Sequence, residues 1–228
     1  MIRPVAPHPG LRLAVASVDE ALTALRPGDI GPAARTMPAW RAREHLAGRA
    51  LARTLLTGLG LDPATPVCTR DTGQPHLPGH PHLWLSISHS EETVAAAVAD
   101  HPVGIDVQVP VPPSAALLRR CCSPATAAAL RRLPPAEQAR HFAYIWTAQE
   151  ACSKAAGTGL AGAPWRIRVD VHAREGRWRD YTWRHLTGTA SPYPLCLART
   201  SLPADRKETT WPTRTTPPHR SRPRPAQV

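Results

Sequence analysis

The stretch from Trp146 to Leu160 constrains this chain more than any other. It is made of good helix formers, and glycines enter only at its end, where Gly157 or Gly159 is able to take the left-handed conformation that closes a helix. On such a helix Glu150 and Lys154 share a face, with Trp146 and Phe142 one and two turns earlier on that side. A carboxylate and an ammonium are thus presented together beside aromatic packing. The plain reading is a solvated ion pair worth roughly 0.2–0.5 kcal/mol. Lysine usage points elsewhere, because Lys154 and Lys207 are the only lysines and arginine carries the remaining positive charge. A compact ammonium that meets phosphate as a point charge and exchanges a proton is what lysine offers and arginine does not.

A chain of 228 residues buries a real core, as one large domain or two of about 100 residues. Its formal charge of +11 predicts an acidic partner: nucleic acid, an anionic membrane, a phosphorylated cofactor or an acidic protein. No apolar run approaches the roughly 18 residues of a membrane span, and Met1 to Gly10 lacks the apolar core of a signal peptide, so a cytoplasmic protein is expected. The 5 cysteines show no CxxC spacing and fit reduced thiols better than disulfides or a zinc site.

Taken in order, residues 11–16 read as a first strand, and residues 19–27 as a short helix ending near Pro27-Gly28. Residues 31–38 read as irregular. A longer helix spans 40–56, with Leu46, Ala50, Leu51 and Leu55 on one face and Arg41, Arg43, Arg49 and Arg53 around it. Those arginines are either a solubilising face or a basic wall for phosphate. Asp71 to Pro75 is a turn, and His76, His80 and His82 follow in a loop read as surface. Residues 83–90 form a strand running into a hydroxyl-rich turn. Residues 93–99 and 103–109 read as further strands joined by a turn at Asp100-His101-Pro102. Asp106 lies inside the apolar run of the latter, and a buried charge demands a partner, either an arginine or a metal.

The prolines at 110, 112 and 113 suggest the boundary between halves. Ser123-Pro124 opens a helix through Leu133, and Pro134-Pro135 leads into the Trp146 helix. Strand candidates follow at 166–171, 177–184 and 195–199, with Glu175-Gly176 as a hairpin turn. Both halves thus read as a helix followed by strands, a hint of an internal pseudo-repeat. Residues 201–228, rich in Pro, Thr and Arg, read as a disordered basic tail.

Gly73-Gln74-Pro75, Ser88-His89-Ser90, Gly104-Ile105-Asp106-Val107-Gln108 and Trp146 through Leu160 stand in an order and spacing that resembles the 4′-phosphopantetheinyl transferases of the surfactin-synthetase-activating type. The Arg-rich run at 48–53 and the segment 119–124 add to the likeness, which covers roughly residues 11–200. The resemblance implies an α/β (α+β) pseudo-dimer of two similar subdomains, 1–110 and 111–200, each a small, mostly antiparallel sheet packed with a long helix, with coenzyme A in the cleft between them. It implies transfer of the phosphopantetheine arm from coenzyme A to a serine of an apo acyl, peptidyl or aryl carrier protein, with release of adenosine 3′,5′-bisphosphate and a requirement for magnesium (Mg2+).

On that resemblance Asp106, Glu150 and Gln108 hold the metal, and Glu150 also accepts the serine proton while Lys154 stabilises the leaving phosphate. Arg41, Gly73, Gln74, Pro75, Ser88, His89 and Lys154 bind the cofactor. The basic surface attracts the acidic helix of the carrier protein, and a monomer with neither membrane nor nucleic acid as partner is expected. Gln108, Gln74, Gln149 and Thr126 depart from the family pattern, which has a carboxylate, lysine, lysine and glutamate at those places. Glutamine at 108 still offers a carbonyl oxygen to a metal or its water. Two other readings stay open: a relative that binds coenzyme A without turnover, and a basic nucleic-acid-binding protein.

Overall fold

A computed structural model of the chain describes residues 2–26, 30, 32–188 and 191–201. The basic tail and the helix end at Pro27-Gly28 read from the sequence lie outside the described residues, apart from Ser201.

The first half contains β1 (Val5–His8), β2 (Leu11–Ser17), α1 (Val18–Leu22), α2 (Pro32–Thr36), α3 (Ala39–Gly58), the short pair β3 (Cys68–Thr69) and β4 (Pro75–His76), β5 (Trp84–Ser90) and β6 (Thr93–Ala99). The second contains β7 (Val103–Val107), α4 (Ala115–Cys121), α5 (Pro124–Arg131), α6 (Pro135–Ala155), β8 (Glu175–Trp178), β9 (Tyr181–His185) and β10 (Leu195–Thr200). The strands form antiparallel sheets in the orders β1-β2-β6-β5 and β7-β10-β9-β8, with β3-β4 apart. Each large sheet is thus packed with one long helix, the mixed α/β pseudo-dimer implied above.

Period-two alternation along the strands sorts the core into layers. On one face of the first sheet Ala14, Val94, Ala96, Val98 and Leu85 meet Leu51, Leu55 and Leu56 of α3. On the other face Leu11, Leu13, Val15, Ala95 and Ala97 pack against Ile105, Val107, Leu195 and Leu197 of the second sheet. The far side of that sheet carries Cys196, Ala198 and Trp183 against Ile145, Ala148, Ala151 and Cys152 of α6. Each fully buried Leu or Ile contributes about 1.5–3 kcal/mol.

The sequence expectations need correction at several points. Strand β7 does not fold back on β6; it pairs with β10 in the other sheet, in the register Asp106↔Cys196. The second sheet therefore begins before the proline cluster, with Asp100 to Pro102 as the crossing. Residues 166–171 are not a strand: Ile167, Val169 and Val171 alternate inward as a strand would, but pair with no neighbour. Glu175-Gly176 is inside β8, and the hairpin turn is Arg179-Asp180, with Arg179 at φ 53°. A short helix occupies 32–36, and the strand Val5–His8 precedes the one read first.

Two helix ends matter for the site. Helix α6 starts at Pro135, whose missing N–H is no loss in a first turn. It ends in a Schellman closure: Gly157, at φ 68°, donates to Lys154 O at 3.0 Å, and Thr158 donates to Ser153 O at 3.1 Å. No helix among the described residues is long and apolar enough to cross a membrane.

Candidate active site

The site lies where α3, α6, β5 and β7 meet, and a missing side chain brings α6 to β7. A Cβ on Gly104 would stand 2.5 Å from Ala155 N and closer still to Ala151 O. Only glycine there lets the helix backbone rest on the strand. Asp106, two residues along on the same face, then meets the helix side that carries Glu150 and Lys154.

Asp106 is 5% exposed, and its Oδ1 accepts from Lys154 Nζ at 2.6 Å and from Ser88 Oγ at 2.7 Å. Its cationic partner is therefore lysine, and Lys154 also donates to Ile105 O at 3.3 Å. Glu150 is half-buried beside the pair, and its Oε1 is buried with no hydrogen-bond partner among the described residues. Burial raises the Glu150 pKa, the negative charge of Asp106 raises it further, and Lys154 pulls it partly back.

Glu150 and Lys154 line a cavity of about 200 Å³ with Gly73, Gln74, Pro75 and Gly157. A Cβ on Gly157 would lie 3.1 Å from Gln74 Oε1, so the Asp71–Pro75 turn closes over the end of α6. Gly73 and Pro75 also line a neighbouring cavity of about 340 Å³, walled by Arg41, His45 and Arg49 of α3 and by His89. Their spacing puts Arg41, His45 and Arg49 in one row along the helix. Arg49 is braced by Val67 O, by Thr69 Oγ1 at 2.6 Å and by His45 Nε2 at 2.7 Å. Glu44 sits 3.3 Å from His89 Nδ1. Desolvation lowers the His89 pKa, with Glu44 opposing. Burial, then Arg49, lowers that of His45.

Most of the residues named from sequence are thus brought together: Asp106, Ser88 and Lys154 in hydrogen bonds, Glu150 beside them, and Gly73, Gln74, Pro75, Arg41 and His89 around the two neighbouring cavities. Ser88 and Gln108, however, spend their polar groups on protein partners. Ser88 is 4% exposed with its hydroxyl engaged by protein, because alternation along β5 sends Ser88 and His89 to opposite faces. Gln108 donates through Nε2 to Val109 O at 3.0 Å and Ser90 Oγ at 3.4 Å, and lines a separate apolar groove with Phe142 and Trp146. Gln149 also points away from the cleft: it is fully buried, and its Nε2 donates to Cys121 O and Ile167 O at 2.8 Å each. Glu44 and His45 escaped the sequence reading, although one-turn spacing from Arg41 and Arg49 was signal enough for His45.

The fold and site define a two-halved α/β protein in which a cavity lined by Glu150 and Lys154 and a cavity walled by Arg41 and Arg49 share the Gly73–Pro75 turn. Residues 22–99 match the 4′-phosphopantetheinyl transferase N-terminal domain, and residues 102–198 match the 4′-phosphopantetheinyl transferase superfamily. The chain belongs to that superfamily and to its surfactin-synthetase-activating type. It is 33% identical over 122 residues to a 4′-phosphopantetheinyl transferase of Bacillus subtilis, covering 53% of this chain and 54% of that protein. To the 4′-phosphopantetheinyl transferase psf-1 of Bacillus pumilus it is 30% identical over 122 residues, 53% of this chain and 52% of the other. To the 4′-phosphopantetheinyl transferase Sfp of Bacillus subtilis it is 31% identical over 93 residues, 41% and 42% respectively. The chain thus spans about half the length of the curated relatives it matches.

Proposed function

We propose that the protein transfers the 4′-phosphopantetheine arm of coenzyme A to a serine hydroxyl of an apo acyl, peptidyl or aryl carrier protein. The observation that carries this reading is the convergence of Asp106, Glu150 and Lys154 at one end of a cleft whose other wall is the Arg41–His45–Arg49 row. A nucleotide with several phosphates fits between an ammonium and the guanidinium groups of Arg41 and Arg49.

In the proposed reaction the serine oxygen forms a bond to the β-phosphorus of coenzyme A. The bond from that phosphorus to the bridging oxygen breaks, and adenosine 3′,5′-bisphosphate leaves with the electron pair. Phosphoryl transfer of this kind rests on positioning and on neutralising charge. Lys154 meets the phosphate oxygens, and Arg41, His89 and the Gly73-Gln74-Pro75 turn hold the nucleotide end. Glu150 takes the serine proton, and its raised pKa makes it a better base than an ordinary carboxylate. Glu150 Oε1, without a partner among the described residues, and the carboxylate of Asp106 are hard oxygen donors that suit magnesium. Those two residues would hold the ion, which when bound neutralises pyrophosphate charge. Gln108 is not needed in that set.

The test is a mass-shift assay with magnesium, coenzyme A and a panel of fatty-acid, polyketide and nonribosomal-peptide carriers. Gain of the phosphopantetheine mass, lost on chelation and weakened by salt, is expected. No modification of any carrier, with tight coenzyme A binding by calorimetry, would instead identify a relative without turnover.

A further inference from the structure

Strand β7 is an edge strand on one side only. Its alternate N–H groups turn to β10, as when Gln108 N donates to Pro194 O at 3.1 Å. The N–H groups of Ile105, Val107 and Val109 face the other way, toward β5, which runs parallel to it but belongs to the other sheet. Left alone they would be buried and unpaired, a costly condition for backbone donors. Serine side chains meet them instead. Ser86 Oγ accepts from Ile105 N at 3.0 Å, Ser88 Oγ from Val107 N at 3.2 Å, and Ser90 Oγ from Val109 N at 3.0 Å. The constant offset along both strands makes these the rungs of a ladder, the hydroxyls of β5 accepting where the backbone carbonyls of a paired strand would. Both halves of the molecule are keyed to each other there, and the register of Asp106 against β5 is fixed.

Ser88 differs from its neighbours in the ladder. Its hydroxyl hydrogen is free to donate and goes to Asp106 Oδ1 at 2.7 Å, the oxygen that also takes Lys154. Asp106 Oδ2 takes no hydrogen bond within the described residues. We infer that Ser88 is a positioning residue: it spans the two sheets, locks one oxygen of Asp106 and leaves the other for the cation. This rests on the transferase reading above.

The experiment compares full-length Ser88→Ala, Ser88→Cys and Ser88→Thr with Ser90→Ala, by urea unfolding, by calorimetric titration with magnesium alone and by transfer kinetics. Ser90→Ala loses a rung and touches no carboxylate, so it lowers the urea midpoint while kcat stays within about threefold. Ser88→Ala lowers the midpoint to a similar degree, weakens magnesium binding about tenfold and lowers kcat about 10- to 100-fold. Ser88→Thr keeps the hydroxyl and restores both to within about fivefold, and Ser88→Cys, nearly isosteric but a weak donor, behaves like Ser88→Ala even if the alanine variant does not fold. Ser88 variants that match Ser90→Ala in magnesium affinity and kcat would overturn the inference. A wild-type protein that modifies no carrier refutes the transferase reading instead, and the magnesium titrations still decide the role of Ser88.

Discussion

Gly104→Ala tests how the site is assembled, because the added methyl lands between strand and helix. The new Cβ would be 2.5 Å from Ala155 N, whereas ordinary contact begins at 3.4 Å, so α6 must withdraw by at least 0.9 Å. The obstructing atoms are helix backbone and cannot rotate aside. A withdrawal along that line lengthens the 2.6 Å bond between Lys154 and Asp106 by a similar amount and carries Glu150 with it. Displacement of reacting groups by about 1 Å costs roughly 100-fold in rate, and forcing atoms into a packed core costs about 1–3 kcal/mol. We therefore expect kcat/KM for carrier modification to fall about 100-fold, alongside a lower urea midpoint with unchanged slope. Gly58→Ala is the control, since a Cβ there meets nothing within 4 Å and φ is not positive; it should gain about 0.5–1 kcal/mol and leave kcat/KM unchanged. A Gly104→Ala protein with kcat/KM within threefold of wild type would refute the claim that this close approach sets the site.

Three further perturbations follow from particular side chains. Gln149→Ala removes both donors that tie α6 to Cys121 O and Ile167 O, and urea unfolding should show a loss of about 2–4 kcal/mol. Glu150→Gln should abolish transfer yet stabilise the ligand-free protein at neutral pH. Because the folded pKa of Glu150 lies above its unfolded value, its ionisation costs stability as pH rises through the interval between them, and the amide escapes that cost. His185 is held neutral between Tyr144 and Trp183, its pKa pushed down to about 4 by burial and then by Arg174. The unfolded chain binds a proton there first, so stability should fall by up to about 3 kcal/mol as pH drops from 6.5 toward 4. Thermal melts of His185→Phe should lose much of that acid sensitivity.

What the sequence discloses and what it conceals divide along physical lines. Helix α6, its glycine closure and the shared face of Glu150 and Lys154 follow from local periodicity, so they are legible without a structure. The burden on Asp106 was legible too, since a charge in an apolar strand must find a partner, although whether arginine or lysine supplies it depends on the fold. Strand β7 misled because Asp100-His101-Pro102 is compatible both with a hairpin and with a crossing to another sheet. Nothing local distinguishes these; the difference lies in β10, some ninety residues later, and in the serines that satisfy the other edge. Those serines carry a lesson about alternation. In Ser86-Ile87-Ser88-His89-Ser90 the period of two already separates Ser88 from His89, so a strand that sends His89 toward α3 must send Ser88 toward β7. The same geometry applies to Gln149 and Glu150, whose directions on the helix differ by about 100°. A motif read as a string of adjacent letters assigns neighbours to one site, whereas the backbone gives them to two: one carries the cleft, and the other holds the halves together around it.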